Sequence, residues 1–167
     1  MNVLVGDIGN TVTKICIFET KNSKTRKIIH FNSSEIQSRF LLRKNIKKVV
    51  KNKKNIKAAL FSSVVPKYNL ILKKYLEKFH KIKFTEIKDK SIDKIIKLNI
   101  KKKKQVGSDR IANAVGIYKK YKSNCIVVDF GTATTFDVVT KYGVYNGGVI
   151  APGVALSIKS LAGSADQ

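Results

Sequence analysis

Cys125-Ile126-Val127-Val128-Asp129-Phe130-Gly131-Thr132-Ala133-Thr134-Thr135-Phe136-Asp137-Val138-Val139 is an apolar run, an Asp-x-Gly-x turn and a second apolar run. β-Branched residues flanking a short polar turn predict a β-hairpin. The same design opens the chain. Residues 2–8 are a short apolar run that ends at Asp7-Ile8-Gly9-Asn10-Thr11. Residues 12–19 then alternate, with Val12, Lys14, Cys16 and Phe18 on one face and Thr13, Ile15 and Ile17 on the other. This echo is an internal repeat at domain scale. It predicts two similar α/β halves, residues 1–122 and 123–167.

The residues around the two motifs read as strands and helices in turn. A third strand is expected near residues 26–31. Ser33-Ser34-Glu35 opens a helix to about Lys51, with Ile36, Phe40, Ile46 and Val50 as its apolar stripe. Residues 58–65 read as a buried strand, and Pro66 suits a helix start. The helix that follows is expected to bury Tyr68, Ile71, Leu72, Tyr75, Leu76 and Phe79. Residues 82–87 and 95–100 read as strands, residues 101–104 as solvated loop, and residues 109–121 as a helix with Ile111, Ala114, Val115 and Tyr118 on one face. A strand over residues 144–150 closes the second repeat. Three strands and a stub of helix cannot cover both faces of a sheet, so the second half is expected to be incomplete.

The formal net charge is +23, from 34 basic and 11 acidic residues. Clustered Lys and Arg release counterions from nucleic acid, which is one reading of such a chain. The other is a background preference for Lys, Ile and Asn, and it is favoured here. The basic residues are spread widely, are mostly Lys, and do not alternate with aromatic residues in the sequence as a stacking platform requires. Nucleic acid is therefore not an expected partner, although the positive field draws anions such as ATP. Hydrophobic residues make up 43% of the chain, enough for a core and against global disorder. Cys16 and Cys125 each lie in an apolar run and read as buried strand residues, outside any disulfide or metal pattern. Asp7 interrupts the first apolar run too early for a signal peptide, and no run is long enough to span a bilayer. A soluble cytoplasmic protein with no membrane partner is expected.

A strand ending in Asp-x-Gly-x-Thr can bind phosphate. The glycine admits backbone N–H groups to close range, and the carboxylate can hold a metal ion or its water shell. One copy is equally well explained as a tight Asp-Gly hairpin. Two copies, one opening each half, are more specific. Asp7 to Thr13 and Asp129 to Thr135 resemble the phosphate clamp of the superfamily of sugar kinases, heat-shock chaperones and actin. That resemblance implies an actin-like ATPase architecture of two ribonuclease-H-like domains with the nucleotide between them. Four blocks narrow it. Val5-Gly6-Asp7-Ile8-Gly9-Asn10-Thr11, Val106-Gly107-Ser108-Asp109-Arg110-Ile111-Ala112-Asn113-Ala114, Val127 through Asp137, and Gly147-Gly148-Val149-Ile150-Ala151-Pro152-Gly153 together resemble type III pantothenate kinases in order and spacing. Residues 20–100 match only in general layout.

The resemblance implies phosphorylation of pantothenate by ATP, the first step of coenzyme A synthesis, in a homodimer assisted by magnesium and by potassium or ammonium. It implies that Asp7, Ile8, Gly9, Asn10, Thr11, Val12, Thr13 and Lys14 line the ATP phosphates and that Thr132 touches ATP. Gly107, Ser108, Asp109 and Arg110 would contact pantothenate, with Asp109 as general base, and Asp129 would hold the monovalent cation. A primary alcohol needs its proton accepted in the transition state, which a carboxylate in hydrogen-bond reach does. Arg110 suits a bidentate grip on the substrate carboxylate. Asp109 equally suits helix capping, and the matching blocks around it favour catalysis. Asp137 either orients the turn at residues 132–135 or pairs within the sheet. Gly147-Gly148 and Pro152-Gly153 suit close packing or tight turns. His30 and His80 are isolated, and surface or structural roles are expected for both. A transcription accessory factor of the same family, and a kinase of the superfamily acting on a sugar or acetate, are the rival readings. Two departures stand out. Where family members carry a polar substrate contact before the Gly-x-Asp-Arg block, this chain has Leu98-Asn99-Ile100-Lys101-Lys102-Lys103-Lys104-Gln105. The family also places further substrate, adenine and dimer contacts beyond Gln167.

Overall fold

Alternating apolar residues make Asn2–Ile8 (β1) and Val12–Glu19 (β2) an antiparallel pair, with Asp7 opposite Lys14 and Ile8 opposite Thr13. Thr13, Ile15 and Ile17 are buried, so of the two faces of β2 theirs is the internal one. The computed structural model describes residues 1–50, 55–89 and 92–164, and the chain divides into two compact units, Met1–Lys90 and Ser91–Gln167.

In the first unit Lys24–Asn32 (β3) pairs with β2, while Ile56–Ser63 (β4) runs parallel to β1 and Lys83–Glu86 (β5) parallel to β4. The sheet order is β3-β2-β1-β4-β5. Arg39–Val50 (α1) contributes Leu42, Ile46 and Val49 to the core, and Pro66–His80 (α2) contributes Leu72, Tyr75 and Leu76. Pro66 occupies the first turn of α2, where a missing N–H costs nothing.

The single helix expected from Ser33 is two pieces. A 3-10 turn over Ser33–Gln37 stops at Ser38, whose backbone is extended, and α1 restarts at Arg39. The break resets the helical phase, so Phe40 lies 74% exposed and Leu42 and Val49 take the inner face instead. The expected end of that helix, Lys51, falls outside the described residues. Phe79 is also turned outward, 48% exposed, at the end of α2.

The second unit carries Cys125–Phe130 (β7), Ala133–Val139 (β8) and Val144–Pro152 (β9) as an antiparallel meander. Lys97–Leu98 (β6) adds to it parallel to β9, giving the order β6-β9-β8-β7. The expected boundary lay near residue 122, whereas the compact unit starts at Ser91. The physical reason is pairing: Lys97 and Leu98 bond alongside Val144 and Tyr145, and Ser108–Tyr121 (α3) packs on β7 and β8. Ile111 and Ala114 of α3 are buried as expected.

Among the described residues the other face of this sheet is exposed. Ile126, Val128, Phe136, Val138 and Val149 are all exposed. Val154–Ser164 (α4) follows β9 and exposes Val154, Leu156, Ile158 and Leu161. Both cysteines are half-buried rather than internal. Burial still pushes the Cys16 thiol above its ordinary pKa, which lowers its thiolate fraction and reactivity. Among the described residues no helix is long and apolar enough to cross a membrane.

A buried polar cluster locks α3 to the sheet. Asp137 on β8 is fully buried and accepts from Arg110 Nε at 2.9 Å and Nη2 at 2.6 Å. The Tyr145 hydroxyl, on β9, donates to the same carboxylate at 2.6 Å. Burial first, and then the bond to Asp137, push the Tyr145 hydroxyl well above the ordinary tyrosine pKa. The Asp137 hydrogen bond raises that of Arg110. Gly148 makes the approach feasible: a Cβ there would collide with the Phe136 carbonyl and sit 2.8 Å from Asp137 Oδ1.

Three stability changes are expected. A Cβ on Gly6 would strike the Phe61 ring, which is stacked on Phe84 at 5.0 Å. Gly6→Ala should therefore cost about 1–3 kcal/mol by overpacking, read as a lower urea midpoint. Asp137→Ala should cost about 3–5 kcal/mol, because it strands the Arg110 charge in a nearly closed site. Tyr145→Phe, which removes one neutral donor to that carboxylate, should cost about 1.5–3 kcal/mol in the same assay.

Candidate active site

The first hairpin is held by hydrogen bonds that fix its turn. The Gly9 amide donates to the Val12 carbonyl at 3.1 Å, and the Ser33 amide donates to the Thr11 carbonyl at 2.9 Å. The Ser33 hydroxyl donates to the Gly9 carbonyl at 2.7 Å and lies 2.8 Å from Thr13 Oγ1. Ser33 thus clamps the loop from the far end of β3. Asp7 is oriented by the neighbouring parallel strand, where the Ser62 hydroxyl donates to its Oδ1 at 2.6 Å.

Not every residue of this stretch reaches outward. Ile8 and Thr13 are fully buried, and the Thr13 hydroxyl is engaged with Ser33. Their side chains belong to the core, so any contact they make with phosphate is through the backbone. Asn10, Thr11, Val12 and Lys14 are exposed.

In the second unit the matching hairpin is one residue shorter. The Gly131 amide donates to the Ala133 carbonyl at 3.0 Å, and Asp129 stands opposite Thr135. Gly131 has no positive φ, and a Cβ there would lie at an ordinary 3.5 Å from its nearest neighbour. The turn itself does not demand glycine at this position, whereas close approach of a ligand to the backbone does. Thr132 is exposed, and its carbonyl accepts the Gly153 amide at 3.2 Å. That contact ties the hairpin tip to the end of β9.

Helix α3 packs against this hairpin. Gly107 is its N-cap residue, Ser108 is buried, and Asp109 lies in the first turn with Oδ1 accepting the Arg110 amide at 2.8 Å. Asp109 therefore does take a first-turn N–H, although the cap position belongs to Gly107. One turn further, Asn113 donates from Nδ2 to Asp129 Oδ2 at 2.8 Å. Residues four apart share a helix face, so Asp109 and Asn113 stand on the side of α3 that meets Asp129. Arg110 differs from expectation. Its Nε and Nη2 edge is occupied by Asp137, which closes that edge to a bidentate grip on a substrate carboxylate.

The donor chemistry suits a hard cation and phosphate oxygens. Asp129 Oδ1 has no hydrogen-bond partner among the described residues, and Thr135 Oγ1, across the register from it, is buried without one. Hard cations take oxygen ligands of this kind. Among the described residues no three His, Cys, Asp or Glu side chains gather into a metal cage. The sequence assigns no site role to Ser62, Asn113 or Tyr145, and to Ser33 only the opening of a helix. Each is a lone polar residue whose partner is distant along the chain, so no local pattern marks it.

Comparison with known proteins gives the family. The type III pantothenate kinase family model matches residues 3–167. The type III pantothenate kinase of Pelagibacter ubique (strain HTCC1062) is 46% identical over 169 residues, covering 99% of this chain and 64% of the relative. That of Syntrophus aciditrophicus (strain SB) is 38% identical over 164 residues, covering 95% and 63%. The chain spans a little under two thirds of the length of these curated relatives. Among solved structures, the type II variant of the Aquifex aeolicus Ppx/GppA phosphatase aligns with a TM-score of 0.53 at 13% identity, over 96% of this chain and 55% of that one. The ethanolamine utilization protein EutJ from Carboxydothermus hydrogenoformans aligns with a TM-score of 0.52 at 15% identity, over 99% and 57%. At those identities the likeness is one of fold, and the fold is the actin-like ATPase, ribonuclease-H-like α/β architecture. The chain belongs to the type III pantothenate kinase family.

Proposed function

We propose that this chain is the part of a pantothenate kinase that carries its phosphate-binding turns and its catalytic base. The reaction is transfer of the ATP γ-phosphoryl group to the primary alcohol of pantothenate, giving ADP and 4′-phosphopantothenate. One observation carries the reading: both Asp-x-Gly hairpins are present in a chain that matches this family from residue 3 to residue 167.

Each residue has a role that its surroundings support. Backbone N–H groups of Asn10 and Thr11 and the exposed Lys14 side chain face ATP phosphate oxygens, with Ser33 keeping the loop in place. Thr132 meets the nucleotide from the second hairpin. Gly107, Ser108 and Arg110 shape the pantothenate side, where Arg110 acts through the segment it anchors and the rest of its guanidinium. Asp109 accepts the hydroxyl proton as the alcohol oxygen attacks the phosphorus, while the bond to the ADP oxygen breaks. Asp129, oriented by Asn113, holds the monovalent cation, potassium or ammonium, and Asp7 supports magnesium through its water shell. Cations there neutralise charge on the transferring group. A homodimer working in the cytoplasm completes the proposal.

Assays with labelled ATP against pantothenate, a sugar panel and acetate test it. Pantothenate should be the substrate turned over, and turnover of a sugar instead would end the reading. Asp109→Asn in the same assay should lower turnover by about two orders of magnitude or more with the circular dichroism spectrum unchanged. Near-normal rates would remove Asp109 as the base.

A further inference from the structure

The first unit has a second feature that the kinase reading leaves unused. A groove of about 720 Å³ lies between α1 and α2. From α1 it is lined by Arg39, Arg43 and Lys47, which follow one another at intervals of four residues and so share one helix face. From α2 it is lined by Tyr75, Phe79 and His80, and Phe40 stands at its edge. Two smaller hollows adjoin it and share Lys47, His80 and Phe79 with it, which makes the feature a track rather than a single cup. Among the described residues no carboxylate lines any of the three.

Background composition does not account for this groove. Lysine is everywhere in the chain, but arginine occurs only at positions 26, 39, 43 and 110. Arg26 is paired with Glu19 and Arg110 with Asp137. The other two converge here, and neither has a carboxylate partner among the described residues. The aromatic rings are also out of place for a core. Phe40 is 74% exposed and Phe79 48% exposed. The Arg39 guanidinium lies over the Phe79 ring at 5.2 Å, and Tyr75 meets Phe79 at 5.2 Å. Exposed rings beside unpaired guanidinium groups form a surface for stacked planar rings flanked by phosphate. The sequence lacks alternating basic and aromatic residues, but two helices laid side by side supply that alternation in space.

We propose that this groove binds single-stranded nucleic acid, with bases stacking on Phe40 and Phe79 and phosphates met by Arg39, Arg43 and Lys47. The open track favours a strand over a single nucleotide, and the excess of cations gives the charge complementarity that a strand requires.

Fluorescence anisotropy with a labelled 12-residue deoxythymidine strand and the 167-residue chain tests this. Phe40→Ala combined with Phe79→Ala keeps the charge and should weaken binding about tenfold or more. Arg39→Gln combined with Arg43→Gln, at exposed positions, should weaken it and flatten its salt dependence by about 1.4 in log–log slope, at roughly 0.7 for each phosphate left without its cation. Lys101→Ala combined with Lys102→Ala, which removes two charges elsewhere, should change affinity by less than about twofold. Thermal melts establish that each variant is folded. Binding unaffected by the paired Phe substitutions would overturn the proposal. So would competition by inorganic polyphosphate or anionic vesicles as strong as that by the unlabelled strand, because either would mean attraction by charge alone.

Discussion

The Arg110–Asp137 pair is the constraint on which the second unit's candidate site depends. Asp137 sits on the second strand of the hairpin, and Arg110 sits in the first turn of α3. Their bond, with Tyr145 closing the carboxylate from β9, sets the start of the helix against the sheet. Asp109 and Asn113 are carried along by that fixation, and Asn113 in turn reaches Asp129. A buried ion pair is a weak source of net stability, since desolvation offsets much of its attraction. Its value here is register: a helix start that slid by one residue would leave two buried polar groups unpaired.

The two hairpins show how one local design serves two settings. Each ends a strand with a carboxylate, places glycine two residues later and closes with a short backbone hydrogen bond. The first needs three residues in its loop and an external clamp, Ser33. The second needs two and is tied instead through Gly153 to the end of β9. Phosphoryl transfer asks mainly for position and charge, so loops fixed by independent clamps are a suitable scaffold.

Much of this was legible because β-strands announce themselves with a period of two. Thr13, Ile15 and Ile17 were readable as one face of a strand, and the Asp-x-Gly hairpin was readable at both Asp7 and Asp129. Helix phase was less legible. Nothing in the composition of residues 33–50 shows that Ser38 interrupts the helix, and that single extended residue turns Phe40 outward. The site was legible in its motif residues and not in their supports. Ser62 and Asn113 act across 55 and 16 positions of sequence, and a lone polar side chain carries no sign of a partner so far away. Arg110 was readable as a functional residue, but its engagement with Asp137 follows from the packing of α3 on β8, which only the fold reveals.

The account stands or falls on each Asp-x-Gly turn being a phosphate-binding loop. The most direct measurement follows the backbone amide resonances of Gly9 and Gly131 by NMR as magnesium-ATP is added. Phosphate binding by the turns predicts that both resonances shift to saturation and that neither responds to adenosine alone. Movement of only one glycine, or of neither at concentrations that saturate binding, would contradict it.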